Sequence, residues 1–216
     1  ILLIWGLVKK VPSVKIVGVI CPSEFRWKRV LAWYRRFGIG IFVKIFAEIG
    51  LIKNKKLKIN EEYKPLYDLS RKWGIQVKSV NKLCSVLGVP FHVVKDINQP
   101  RSISLVSCLS PDYAIYSGAG ILKKPIIKAS KKVLNLHCGP LPLIRGMNAV
   151  EWTLFQGLSP EVTLHYIDEG IDTGKIIASR QLKVNTEDSL EKLRGLSVVT
   201  GLQLLIDVLN DFHAFE

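Results

Sequence analysis

The segment at residues 133–146, with the sequence VLNLHCGPLPLIRG, limits the fold of this chain more than any other segment. Its first half predicts a buried strand, which Gly139 and Pro140 then end. Because side chains alternate between the two faces of a strand, Asn135 and His137 point the same way. Open α/β sheets bind their ligands at the carboxyl ends of strands. The segment therefore predicts an α/β sheet with a polar site at the end of this strand.

Helical and strand patterns alternate along the rest of the chain. The other predicted strands cover residues 14–20, 75–80, 90–94, 112–117, 162–167 and 175–182. The predicted helices cover 63–73, 125–129, 147–156 and 186–210, with a short helix or turn at 80–87 and a helix that follows the loop at 96–100 and ends near Cys108. Such alternation favours an α/β fold with a largely parallel sheet. Because 48% of the 216 residues are hydrophobic, we expect one domain with a substantial core over residues 1–216.

Most of the positive charge is concentrated in one segment. Between Arg26 and Lys58 there are ten basic residues and one acidic residue, which give +9 of the net charge of +13. We predict a basic helical insert at about residues 23–58 whose solvated face covers the edge of the sheet. Aromatic residues such as Trp27 and Phe42 lie among these charges, as in interfacial helices, so a weak contact with an anionic membrane surface is the second hypothesis. Nucleic-acid binding is a weaker hypothesis, since no recognition motif accompanies the charge.

The cysteines and the first residues bear on the compartment. The four cysteines are far apart in the sequence and form no Cys-x-x-Cys pair. This spacing argues against a zinc site and a disulfide framework, and it suits a reducing compartment. Residues 1–8 are apolar but too few to span a membrane, and they lack the layout of a signal peptide. We therefore expect a cytoplasmic protein and, because the first residue is Ile1, an N-terminal truncation.

A second segment, DEGIDTG at residues 168–174, supplies carboxylates. Gly170 and Gly174 allow a tight loop that brings one of these carboxylates to His137. A histidine beside a carboxylate holds a proton near neutral pH, and an asparagine amide can donate a hydrogen bond to a developing oxyanion. This group of side chains suits attack by a substrate amine on an acyl carbon, since that reaction needs no nucleophile from the protein.

These motifs also have simpler interpretations. Asp and Gly favour turns, so DEGIDTG predicts a turn as readily as a site. A calcium site formed by Asp168, Glu169 and Asp172 is an alternative, although the spacing differs from that of an EF-hand loop. Cys138 follows His137 directly, but neighbours in a strand point apart, so a buried or bystander thiol is favoured over a nucleophile.

In their order and spacing, five short motifs resemble the folate-dependent formyltransferase family, which includes glycinamide ribonucleotide, methionyl-tRNA and sugar N-formyltransferases. The motifs are Asn135-Leu136-His137, Leu141-Pro142, Arg145-Gly146, Thr163-Leu164-His165 and Asp172-Thr173-Gly174. The resemblance is strong between residues 89 and 184 and weak before residue 65. It implies a Rossmann-like α/β fold of formyltransferase type, with a mostly parallel twisted sheet and helices on both faces.

The resemblance also implies the site residues. Asn135, His137 and Asp172 match the catalytic triad, in which the first two stabilise the oxyanion and the aspartate keeps the histidine charged. The implied formyl donor is 10-formyltetrahydrofolate, the acceptor is a primary amine, and no metal takes part. The residues matched to donor binding are Gly120, Ile121, Leu122, Asp168, Glu169, Gly170 and Ile171. Arg145 and Gly146 are the implied acceptor-binding residues.

The acceptor is predicted by elimination. The sequence contains no recognisable tRNA-binding domain and no recognisable loop for a ribonucleotide phosphate, so we expect a small metabolite, with a nucleotide-linked amino sugar as the first candidate. Gly139 stands where the family usually has serine, and Ile144 where it usually has an aromatic residue, which leaves the acceptor pocket open. Two alternatives remain: hydrolysis of 10-formyltetrahydrofolate, with water as the acceptor, and a non-catalytic folate- or sugar-binding module.

Overall fold

A computed structural model describes residues 1–23, 61–77, 79–118 and 120–211. The basic segment from Arg26 to Lys58 lies outside these residues, so the helical insert and its membrane contact stay predictions. Within the described ranges helices and strands alternate for most of the element order, as the sequence predicts for an α/β fold.

Most predicted elements are confirmed to within a few residues at their ends. The helices are α1 (Leu2–Lys10), α2 (Lys64–Lys72), α3 (Val80–Leu87), α4 (Pro100–Leu109), α5 (Lys124–Ile127), α6 (Ala149–Phe155) and α7 (Leu190–Asn210), with a 3₁₀ turn at Glu61–Tyr63 before α2. The strands are β1 (Val19–Pro22), β2 (Phe91–Val94), β3 (Tyr113–Tyr116), β4 (Lys132–His137), β5 (Glu161–Tyr166) and β6 (Ile176–Gln181).

The strand predicted at 75–80 is wrong. The Ile75 N–H donates to the Ser70 carbonyl at 3.0 Å and closes the end of α2. A few residues later the Ser79 hydroxyl accepts from the Lys82 N–H at 3.2 Å and caps α3, which begins at Val80. The described residues 75–77 and 79 therefore lie between the end of one helix and the cap of the next, and they are not in a strand.

The strand predicted at 14–20 forms closer to the C-terminus. The Val14 N–H donates to the Val11 carbonyl at 3.1 Å in a turn, and strand pairing starts only at Val19. β1 then pairs with β2 in parallel as a two-stranded sheet.

A four-stranded sheet in the order β3-β4-β5-β6 carries the predicted site. β3 and β4 are parallel, whereas the pairs β4–β5 and β5–β6 are antiparallel. Only residues 167–175 join β5 to β6, and this connection is shorter than a crossover between parallel strands requires. The α/β class is therefore as predicted, while the sheet is mixed.

α7 packs against β4, β5 and β6 and forms the main core with them. Leu134, Val162 and Leu164 lie on that face of the sheet and are at most 2% exposed. Alternation along the strands sends the residues between them to the opposite face. α7 is also the one helix in the described ranges with the length and hydropathy of a membrane span, and 56% of that stretch is buried inside the protein, as expected for a core helix.

Candidate active site

The register of β4 against β5 assembles the centre of the site. Asn135 lies opposite His165, and His137 lies opposite Thr163. Directly opposed residues of an antiparallel pair hold their Cβ atoms about 5 Å apart on one face of the sheet. Asn135 and His137 therefore share their face with two polar residues of β5.

His137 is held between two acceptors. Its Nε2 lies 2.8 Å from the Ile144 carbonyl oxygen, and its Nδ1 lies 3.4 Å from Asp172 Oδ2. A carbonyl oxygen can only accept a hydrogen bond, so Nε2 carries a hydrogen. A carboxylate oxygen faces Nδ1, so a hydrogen on that nitrogen would also point at an acceptor. Because the His137 side chain is just 7% exposed, water cannot readily replace either partner.

Asp172 connects the two loops that border the site. Its Oδ2 also accepts from the Gly146 N–H at 2.8 Å, and its Oδ1 lies 3.6 Å from His165 Nε2. Its backbone is left-handed, with φ at 52°, a conformation that Asp tolerates better than most residues. The prediction that a carboxylate of the DEGIDTG segment reaches His137 is thus confirmed as geometry, and the residue is Asp172.

The two glycines of the DEGIDTG segment are needed for close approach. A Cβ on Gly174 would lie 1.9 Å from the Tyr166 carbonyl oxygen, and one on Gly170 would lie 2.0 Å from Thr173 Oγ1. Any larger residue at either position would push the loop away from β5. Asp168 folds the same loop, because its Oδ1 accepts from the Gly170 N–H at 3.0 Å and from the Thr173 hydroxyl at 2.5 Å.

His165 belongs to the site. The sequence analysis includes it in a motif of the formyltransferase family but predicts no role for it. Its Nδ1 lies 2.8 Å from the Tyr166 carbonyl oxygen, and its Nε2 lies 3.2 Å from Asn135 Nδ2. Burial lowers the pKa of His165, and the Tyr166 carbonyl and the nearby Asp172 carboxylate oppose this effect less strongly. Its proximity to Asn135 depends on the strand register, which residue spacing alone does not specify.

Thr163 fixes the loop that follows β4. Its hydroxyl donates to the Gly139 carbonyl at 2.8 Å and accepts from the Leu141 N–H at 3.2 Å. Gly139 itself is tightly enclosed, since a Cβ there would lie 2.9 Å from Ala149 Cβ and 3.1 Å from His137 Nε2. In this chain, glycine in place of the family's usual serine at position 139 thus avoids close contacts with Ala149 and His137.

Cys138 is partly buried beside the site. Burial raises the pKa of its thiol, which keeps the sulfur protonated and a poor nucleophile at neutral pH. This environment agrees with the prediction of a bystander thiol.

The two predicted donor-binding segments are neighbours in the structure. Lys124, at the start of α5, forms an ion pair at 2.7 Å with Glu169, which ties the loop at 120–123 to the loop at 168–172. Ile121 and Ile171, one from each loop, are 69% and 58% exposed. The site therefore presents apolar side chains and loop main chain together on its open side.

Asn98 holds the first of these loops from a distance in the sequence. Its Nδ2 donates to the Ile121 carbonyl at 3.0 Å, and its Oδ1 accepts from the Lys123 N–H at 2.7 Å. The hydroxyl of Tyr116 adds a weaker bond to the Gly120 carbonyl at 3.3 Å. The residues 120–123 are thus shaped by side chains that the sequence patterns did not single out as site residues.

The three carboxylates considered for calcium face different partners. Asp168 bonds within its own loop, Glu169 pairs with Lys124, and Asp172 faces His137 and the Gly146 N–H. The three carboxylates thus stabilise the two loops or face His137, and they do not converge on one point. Arg145 is exposed between Ile144 and Gly146, whose main chains contact the central residues.

The chain matches known formyltransferases over the part that holds this site. A family model described as formyl transferase matches residues 91–209, more than half of the 216 residues. The methionyl-tRNA formyltransferase of Thermodesulfovibrio yellowstonii is 32% identical over 140 residues, which are 63% of this chain and 46% of that protein. The chain thus spans about half the length of the curated relatives that it matches.

Solved structures share the fold. The phosphoribosylglycinamide formyltransferase of Bacillus halodurans aligns with a TM-score of 0.54 and 21% identity over 71% of this chain and 91% of that one. A sugar N-formyltransferase from a Shewanella species aligns with a TM-score of 0.52 and 16% identity over 76% and 69% of the two chains. These similarities confirm the predicted Rossmann-like α/β architecture of formyltransferase type. Together with the family match, they show that this chain belongs to the formyl transferase family.

Proposed function

We propose that this domain transfers a formyl group from 10-formyltetrahydrofolate to a primary amine. The observation that carries the proposal is the placement of His137, with Asp172 at 3.4 Å on one ring nitrogen and Asn135 on the same strand face. An imidazolium and an amide N–H are the groups that stabilise negative charge on a carbonyl oxygen. No nucleophile from the protein is required, because the substrate amine supplies the electron pair.

The donor supplies an activated formyl group, and the two neighbouring loops fit its flat ring system. Exposed Ile121 and Ile171 offer apolar contact, and in this proposal the main chains of residues 120–122 and 168–171 supply hydrogen bonds to the donor. The side chain of Glu169 is already paired with Lys124. We therefore assign donor binding mainly to the shape and main chain of these loops.

Each central residue has a defined role in this proposal. Asn135 donates an amide N–H to the formyl oxygen as negative charge develops there. His137 contributes its positive charge to the same oxygen, and Asp172 keeps the imidazolium charged and oriented. In this proposal Asp172 also helps to remove the proton that the amine loses, either directly or through a water molecule.

For the acceptor we propose the amine of a small metabolite, with a nucleotide-linked amino sugar as first candidate. Exposed Arg145, next to the loop that contacts His137, suits an anionic group on such a molecule. Methionyl-tRNA is the second candidate, because a curated relative with 32% identity is named methionyl-tRNA formyltransferase.

A cytoplasmic location stays part of the prediction.

The test measures tetrahydrofolate release from 10-formyltetrahydrofolate by the purified protein. A nucleotide-linked amino sugar, glycinamide ribonucleotide and methionyl-tRNA are supplied in separate reactions, and one reaction has no amine. Release that depends on an amine supports the transferase, and release without an amine indicates a hydrolase instead. Donor binding without release in any reaction indicates a binding module and overturns the proposal.

A histidine variant tests the mechanism. His137→Ala should lower the amine-dependent rate by about a hundredfold or more, since it removes a group that stabilises the oxyanion. Val86→Ala, on the exposed surface of α3, is the control for substitution as such. An unchanged rate in His137→Ala would exclude the assigned role.

A further inference from the structure

His165 is buried at the contact between the two strands that carry the site. Its side chain is 1% exposed, and it lies directly opposite Asn135 in the antiparallel register. Three polar groups surround its two ring nitrogens: the Tyr166 carbonyl at 2.8 Å, the Asn135 amide at 3.2 Å and the Asp172 carboxylate at 3.6 Å. The His137 ring lies edge-on, with its centroid 6.3 Å away.

The Tyr166 carbonyl determines the tautomer of His165. Because that oxygen can only accept, Nδ1 carries the hydrogen, and in the neutral ring Nε2 offers a lone pair. The amide nitrogen of Asn135 is a donor and fits this lone pair. The opposite amide orientation would place Oδ1 against the lone pair and leave the amide without this bond. Neutral His165 therefore selects one of the two orientations of the Asn135 amide.

Several charged groups face His165. Asp172 and Asp168 favour its protonated form, whereas His137 and burial oppose that form, and burial has the largest effect. The net result is a lowered pKa, so His165 is neutral at neutral pH. An amide nitrogen has two hydrogens, so Asn135 can donate one to His165 and keep the other for a ligand.

We infer that neutral His165 is a positioning residue, which turns the Asn135 amide so that its nitrogen faces the formyl oxygen. This inference rests on the proposed function, because it gives Asn135 a purpose only if Asn135 donates to that oxygen. Protonation of His165 reverses the effect. Its Nε2 then becomes a donor, which repels the Asn135 nitrogen and competes with His137 for Asp172.

Two substitutions separate positioning from packing. His165→Leu fills a similar volume but cannot accept a hydrogen bond, whereas the Oε1 atom of His165→Gln can accept from Asn135. We expect His165→Leu to lower kcat by about tenfold or more, as for a lost buried hydrogen bond, with little change in the KM for 10-formyltetrahydrofolate. His165→Gln should keep several-fold more activity than His165→Leu, and its kcat should lose one ionisation on the acid side of the pH profile.

A double-mutant cycle with Asn135→Ala tests the route of the effect. If His165 acts through Asn135, adding His165→Leu to Asn135→Ala should change kcat by less than about twofold. Full additivity of the two substitutions would overturn the inference. If His165→Leu fails to fold, the pH profile of His165→Gln decides, and an unchanged acid side overturns the inference.

A spectroscopic readout keeps this inference separate from the proposed function. The side-chain amide signals of Asn135 in a ¹⁵N-labelled protein are identified by their loss in Asn135→Ala. They should shift as His165 titrates, and that shift should be absent in His165→Gln. This result supports the positioning role even if no amine is formylated. Amide signals whose chemical shifts change neither with the titration nor with the substitution would overturn it.

Discussion

At the scale of single residues, the charge of Asp172 can be separated from its shape. Asp172→Asn keeps the size of the side chain, tolerates the left-handed φ of 52° and still accepts from the Gly146 N–H. It removes the negative charge beside His137 Nδ1. We expect kcat to fall by about a hundredfold or more, because the imidazolium loses the group that stabilises its charge. The thermal unfolding midpoint should change little, and a kcat within tenfold of the wild type would contradict the role.

Gly139 gives a prediction about packing. Gly139→Ala places a Cβ 2.9 Å from Ala149 Cβ and 3.1 Å from His137 Nε2. Overpacking of this kind typically costs about 1–3 kcal/mol of unfolding free energy, and we expect a loss in that range by urea denaturation. Ala149→Gly, at the first residue of α6, removes the nearer contact. The double variant should therefore recover most of the loss, and a single variant as stable as the wild type would show that the loop adapts freely.

At the scale of elements, Asn98 lies just before α4 and holds the loop at residues 120–123, which we propose binds the donor. Asn98→Ala removes both the donation to the Ile121 carbonyl and the acceptance from the Lys123 N–H. We expect the KM for 10-formyltetrahydrofolate to rise by about tenfold, with the KM for the amine unchanged. Asn98→Asp keeps the acceptor but loses the donor. Its KM for 10-formyltetrahydrofolate should therefore lie between those of the wild type and Asn98→Ala. Equal effects on both KM values would instead indicate general loss of structure.

The elements also show how far sequence patterns reach. Alternation along β4 was enough to place Asn135 and His137 together, and two glycines were enough to predict the approach of an aspartate. His165 entered the site through the register of β4 with β5, which alternation leaves undetermined. The predicted strand at 75–80 failed because local helix-end bonds compete with strand pairing. Patterns along one segment and the glycines of one loop were thus informative, whereas the register between two strands was not determined by either.

At the scale of the whole molecule, the sheet separates stability from chemistry. One face packs on α7 through fully buried leucines such as Leu164 and Leu205, both 0% exposed. The other face carries two buried histidines, His137 and His165, at 6% and 1% exposure. A buried neutral histidine makes folding sensitive to pH, so the site itself links global stability to proton uptake.

The stability of the whole domain should therefore fall as the pH drops below the ordinary histidine value. Burial lowers the pKa of His165 from 6.5 in the folded state, so the unfolded chain binds the proton more readily. Its contribution to stability is present above pH 6.5 and is lost as the pH falls towards the folded pKa. Asp168, which accepts from the Thr173 hydroxyl, also has a lowered pKa, and it loses its contribution only at lower pH, below its ordinary value of 3.8.

Urea unfolding of the wild type and of His165→Gln at a series of pH values checks this order. We expect the wild type to lose unfolding free energy first in the range that begins at pH 6.5, and His165→Gln to lack that first loss while keeping the later one. Because glutamine does not titrate, the difference between the two curves isolates the histidine. Parallel curves of unfolding free energy against pH would mean that proton uptake by His165 is not linked to folding. Burial in the folded state would then not lower the pKa of His165.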